Sequence, residues 1–198
     1  YRETGRPDGI PLTDEDAGIL QGVRSPHRAY EVAPRAGRPP VVALVRDPLS
    51  TRQVWSRHGG FPGDGAYLEF HKIRFPGGLK LWRVTSSAAD LGAKEPYEPN
   101  TARARAWGHA AHLHYELRRN ARALRAPGES VVVAPFDTEL FGHWWYEGVE
   151  FIADLYRRFG DSDEIRPRTA SQHLAANPAS AAIALGTGRK VEVIGQVF

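Results

Sequence analysis

The segment from Arg103 to Gly128 constrains this 198-residue chain more than any other. Trp107, Ala110, Ala111, His114, Leu117, Ala121 and Leu124 recur there at helical spacing, with arginines between them. That spacing predicts a helix over Arg103–Ala126, ended by Pro127-Gly128. Short apolar runs flank it. Val41–Val45 reads as a buried strand closed by Asp47-Pro48, and Leu79–Thr85 alternates as a strand does. Ser130–Phe136 is a β-branched run of the buried parallel kind, with Asp137 directly after it. A second helix is expected over Tyr146–Phe159, with Val149, Ile152, Tyr156 and Phe159 inward and Gly160 at its end. Strand, long helix, strand, helix is the rhythm of a parallel α/β sheet or barrel. In such folds functional groups gather where strands end, which is where Asp137 sits.

The remaining stretches are less regular. Residues 1–40 are rich in Pro, Gly, Arg and Asp and read as surface. Ser50–Ser56 suggests a helical turn with a Ser cap, and Thr169–Ala176 a short helix. His58–Gly65 is a Gly/Pro loop.

Composition narrows the function classes. At 41% hydrophobic and 25% charged, the chain is of globular type. No apolar run approaches the roughly 20 residues of a membrane helix, and no signal peptide is visible, so a cytoplasmic protein is expected. Cysteine is absent, which excludes disulfides and thiolate metal sites. Methionine is absent even at position 1, so a fragment of a longer protein is expected. The net charge of +3 rests on 22 Arg and 4 Lys spread along the chain, the usage of a GC-rich genome, and nucleic-acid binding is not expected.

Chemistry-bearing residues are densest in Val133–Gly148, VAPFDTELFGHWWYEG. Asp137, Glu139, His143, Trp144, Trp145, Tyr146 and Glu147 all fall there. Sugar rings pack their C–H faces on aromatic rings while carboxylates move protons at the glycosidic oxygen. The same residues could equally form a strand and an aromatic helix start packed into a core, where tryptophans usually reside.

The string PFDTELFGHWWYEG closely resembles the fourth conserved region of glycoside hydrolase family 57, in its branching-enzyme and α-amylase-like form. DPLSTRQVWS, GGFPGDGAYLEF, GLKLWRVT and KEPYEP are similar to further stretches of the branching-enzyme subfamily, in family order. The resemblance covers roughly residues 8–176. It implies an α/β fold, a distorted parallel (β/α)7 barrel of which residues 1–176 supply the later part, with 177–198 a divergent tail. It also implies a retaining 1,4-α-glucan branching enzyme acting on amylose- or glycogen-like chains without a cofactor or metal. α-Amylase or 4-α-glucanotransferase activity, or glucan binding without catalysis, are the alternatives. Asp137 becomes the general acid/base, and His143, Trp144, Trp145 and Tyr67 the substrate contacts. Tyr67 lies in a Gly-rich loop that could close over the cleft, or could instead hold that loop to the barrel.

Retention needs two carboxyl groups about 5–5.5 Å apart. The family's nucleophile is a Glu in a Trp-Leu-(Pro/Ala)-Glu-Cys string, and that string does not occur here. The chain by itself is therefore expected to be inactive, although Glu139 could share a strand face with Asp137. A partial barrel should also leave apolar strand surface exposed. His109, His112 and His114 are loosely spaced and read as packing or solvated histidines rather than a metal set. Gly186–Lys190 lacks the full spacing of a phosphate loop, and Thr13–Asp16 reads as an acidic turn.

Overall fold

The computed structural model describes residues 25–32, 40–56, 59–124, 130–179 and 181–183. The first helix, α1 (Pro48–Trp55), starts because Asp47 caps it: the Asp47 carboxylate accepts from Ser50 N at 2.7 Å, and Pro48 occupies the first turn. The cap is thus Asp47 rather than a serine, since the proline already sets helical φ ahead of Ser50. His27 Nε2 lies 2.9 Å from the other Asp47 oxygen, which ties the helix start to the chain that enters the sheet.

That sheet has three strands in the order β2-β1-β3. β1 (Ala29–Val32) pairs antiparallel with β2 (Val41–Leu44), Ala29 opposite Leu44 and Val32 opposite Val41. β1 also pairs parallel with β3 (Ala181–Ile183), which draws the backbone of residues beyond 176 into the sheet. The expectation of a buried strand at 41–45 is corrected. β2 lies at the sheet edge, Val41 is 65% exposed, and Val42 and Val45 also show apolar surface.

Residues 130–136 are extended but form no regular strand. A single parallel bridge joins Arg46 to Val133, with Asp47 N donating to Val133 O at 2.8 Å and Val131 N to His27 O at 3.0 Å. Pairing stops there because the opposite chain turns into α1 at Pro48 and because Pro135 has no N–H. The run is half-buried, not buried. Residues 68–83 likewise form a broken hairpin, with isolated antiparallel bridges Leu68–Arg83 and Arg74–Leu79, in place of a continuous strand over 79–85.

The long helix, α2 (Pro99–Ala123), packs against α3 (Gly148–Gly160). Ala102, Ala106 and Ala110 recur every four residues and are fully buried, continued by Leu113. Small side chains there permit close helix approach. Phe151 and Leu155 are the buried residues of α3, and with Val54, Phe61, Tyr67, Leu140 and Trp145 they complete the core. The inward faces agree with expectation at Ala110 and, half-buried against the core, at Leu117, Ile152 and Phe159, and differ elsewhere. Trp107, Val149 and Tyr156 are exposed, while Ala106, His109 and Phe151 are buried. Large side chains suggested the apolar face, but the alanines and a buried histidine form the contact. α4 (Ala170–Ala176) forms as expected, with Thr169 and Gln172 closing a reciprocal capping box. The class is mixed α/β, and the described residues close no barrel.

Candidate functional site

The extended run 130–136 delivers Asp137 to its end, where the chain enters a 3-10 turn over Thr138–Leu140. Asp137 is exposed and makes no side-chain capping bond to that turn. Its backbone carbonyl accepts from Leu140 N at 3.0 Å. The chain then reverses at Gly142, whose φ of 91° suits glycine. Trp145 N donates to Leu140 O at 2.8 Å and Gly142 N to Trp145 O at 2.9 Å, which fixes the reversal.

This turn sends the two adjacent tryptophans in opposite directions. Trp144 is 48% exposed; its indole N–H donates to Glu139 Oε1 at 3.1 Å. Its ring lies 4.3 Å from that of Phe70, with the exposed His143 ring 5.3 Å from Phe70 on the same cluster. Lys80 Nζ stands 3.9 Å over Phe70, a cation–π contact. The result is an open aromatic surface one turn from Asp137.

Trp145, in contrast, is 1% exposed and packs on Tyr67, Phe151 and Phe141 at 4.8–6.2 Å between centroids. A ring so enclosed offers no face to a sugar, so its expected substrate contact is replaced by a core role. Tyr67 is also 1% exposed. Its hydroxyl lies 2.6 Å from His109 Nδ1. With the ring proton on Nε2, facing Asp64 Oδ2 at 3.6 Å, the tyrosine is the donor. Asp64 in turn accepts from Arg105 Nε at 2.6 Å and from Ala66 N at 2.9 Å. Loop and helix α2 are thereby locked together, and Tyr67 holds the loop down instead of reaching outward. Burial pushes the Tyr67 hydroxyl well up and the His109 imidazole down to about 4, so both are neutral near pH 7.

Glu147, 3% exposed, lies beneath both features. Its Oε1 accepts from Leu68 N at 3.0 Å and from the Tyr97 hydroxyl at 2.6 Å, while Oε2 is buried with no hydrogen-bond partner among the described residues. Burial is the largest influence on this carboxyl and raises it. Sequence reasoning gave no role to Phe70, Tyr97 or Asp64. Phe70 shows no local signal, because its partner Trp144 is far away in the chain. Asp64 and Tyr67 share a loop whose glycines suggested movement. His112 packs edge-on against Phe61, and His114 lies by Phe159. Among the described residues no cluster of His, Asp or Glu could hold a metal ion. Gly186–Lys190 and Thr13–Asp16 lie outside the described residues.

No family model matches the chain. Individual proteins do. It is 45% identical over 124 residues to the 1,4-α-glucan branching enzyme of Thermococcus kodakarensis, covering 60% of this chain and 18% of that protein. It is 38% identical over 123 residues to a probable 1,4-α-glucan branching enzyme of Mycobacterium tuberculosis, covering 61% and 23%. Among solved structures, the Thermococcus kodakaraensis family 57 branching enzyme matches with a TM-score of 0.75 at 32% identity, over 91% of this chain and 31% of that one. The Pyrococcus horikoshii family 57 branching enzyme gives 0.69 at 34% identity, over 86% and 30%. The α-amylase AmyC of Thermotoga maritima gives 0.68 at 32%, over 79% and 33%. Over most of its length the chain is similar to proteins of glycoside hydrolase family 57. Within that family its likeness is to the branching enzymes, and it spans about a fifth of the length of the curated relatives it matches.

Proposed function

We propose that the chain is the later part, residues 1–176, of the (β/α)7 catalytic barrel of a cytoplasmic 1,4-α-glucan branching enzyme, with 177–198 a divergent tail. Asp137 is its general acid/base. The observation that carries this reading is an exposed carboxyl at the end of the 130–136 run, on the same turn as an open aromatic surface. Asp137 protonates the glycosidic oxygen as a carboxylate nucleophile, supplied from outside these residues, attacks the anomeric carbon. The leaving chain departs and a glycosyl-enzyme ester remains. Asp137, now ionised, takes the proton from a glucan 6-hydroxyl, which attacks the ester and forms an α-1,6 link. Trp144, Phe70 and His143 hold the glucan by ring packing and hydrogen bonding. The likeness to the α-amylase AmyC supports a second reading, in which water replaces the 6-hydroxyl.

The test is the full-length protein with Asp137→Asn, assayed by counting new α-1,6 links after debranching. Near-normal branching in that variant overturns the role of Asp137. A normal protein that hydrolyses amylose without making branches selects the second reading.

A further inference from the structure

The open surface is made from two distant parts of the chain, and something must hold them in register. Phe70 belongs to the broken hairpin over 68–83, and Trp144 to the turn after Asp137. Their rings meet at 4.3 Å, though neither is enclosed by core. A half-buried ring and an exposed one on separate segments do not keep such an arrangement unaided, because an aromatic pair contributes only about 0.5–1.5 kcal/mol.

We propose that Glu147 is the positioning residue of this surface, fixing Phe70 against Trp144 by gripping Leu68. The geometry is short and direct. Glu147 follows Trp144 by three residues, Leu68 precedes Phe70 by two, and the Glu147 Oε1–Leu68 N bond of 3.0 Å joins the two segments between the rings. The same oxygen accepts from Tyr97 at 2.6 Å, so three segments converge on one atom. The backbone of Glu147 is itself held: Phe151 N donates to its carbonyl at 3.0 Å as α3 begins. The bound carboxyl is therefore rigid at its base as well as at its tip. Beyond Leu68, Glu69 N donates to Trp82 O at 2.8 Å, and the Glu69 carboxylate pairs with Lys94 at 3.0 Å. Displacement at Leu68 is thus passed to Phe70 through a constrained hairpin. Burial favours the neutral form of Glu147, which is consistent with an arm used for its reach and not for its charge.

As a glucan-positioning device this rests on the function proposed above, but the placement of the rings can be read without glucan. The full-length protein that carries this chain is labelled with 5-fluorotryptophan and its 19F spectrum recorded. Trp144→Phe assigns the Trp144 resonance, and Phe70→Leu shows where that resonance moves when the Phe70 ring current is lost. Glu147→Gln keeps the length and the acceptor, so the Trp144 resonance is expected to stay in place. Glu147→Asp keeps the acid but shortens the arm, so the resonance is expected to move toward its Phe70→Leu position. Trp107, exposed on α2, is expected to hold its position throughout. Maltoheptaose affinity is expected to fall roughly two- to tenfold in the Asp variant only, the scale of one aromatic contact. An unmoved Trp144 resonance in Glu147→Asp, an equal movement in Glu147→Gln, or a matching movement of Trp107 overturns positioning. A shifted Trp144 resonance with no maltoheptaose binding by the unmodified protein upholds positioning and overturns the glucan reading of this surface.

Discussion

Two aromatic clusters draw on the segments that the Glu147–Leu68 hydrogen bond joins, and they differ in almost every physical respect. One, built from Phe61, Tyr67, His109, Trp145 and Phe151, is buried, and the Tyr67 hydroxyl and His109 Nδ1 are paired inside it. The other, built from Phe70, His143 and Trp144 with Lys80 above, is open to water. Adjacent tryptophans contribute one ring to each. The difference shows that a cluster of sugar-site residue types can be divided by a single turn into a supporting core and a presenting surface. It also shows why Trp144 carries a binding hypothesis and Trp145 does not.

The largest expected effect lies at the edge of the open cluster. In the full-length protein, Asp137→Asn is expected to lower branching by roughly 10²–10⁴-fold, the usual contribution of a general acid/base. Maltooligosaccharide affinity should change little, because the rings remain. Loss of affinity in parallel with rate would move Asp137 from proton transfer to substrate binding.

The tryptophan pair gives the next contrast. Trp145→Ala opens a cavity in the core and is expected to cost about 3–5 kcal/mol of stability. Trp144→Ala is expected to cost about 0.5 kcal/mol or less, as surface substitutions do. Its effect should appear instead as a roughly two- to tenfold loss of maltoheptaose affinity. Thermal melting and calorimetric titration of the two variants check both. Equal destabilisation by the two alanines would falsify the division into core and surface.

How much of this was legible in the sequence follows from the same contrast. The helices at 99–123, 148–160 and 170–176 were readable because their periodicity is local. Their inward faces were legible only in part: Ala110 falls on the expected face, but Ala106 is chosen by the closeness of α3, a tertiary fact, while Trp107 looks more apolar and lies outside. The run 130–136 was readable as extended, but its pairing depends on where Arg46 and Pro48 turn away. The motif around Asp137 was found by resemblance. Its division at Gly142 was hidden, since WW carries no direction until the turn is built. Phe70 and Glu147 could not be paired from sequence, because the hydrogen bond joining their segments spans residues 68 and 147.

The smallest effect expected is the response of the buried cluster to acid. His109 is held neutral by burial, down to about 4, and its Nδ1 accepts from Tyr67. Its folded value lies below the ordinary histidine value of about 6.5. The contribution to stability is therefore complete above about 6.5 and is lost as pH falls through about 4. Protonation puts a donor on Nδ1, so the Tyr67 hydroxyl must turn from donating to accepting beside a buried cation. Asp47 and Glu69 are both held low by hydrogen bonds and cationic neighbours despite burial, and they add losses in the same direction at lower pH. Tyr67→Phe separates the contributions. It removes the hydroxyl, leaves the ring in the core, and should lower the melting temperature at pH 7 by a few degrees, for a hydrogen bond of about 1 kcal/mol. The gap between Tyr67→Phe and the unmodified chain should then stay open from pH 7 down toward pH 4, because folded His109 remains a neutral acceptor over that range, and should change only as pH falls through about 4. No gap at pH 7 would show that His109 does not accept from Tyr67, and that another contact holds the loop to α2.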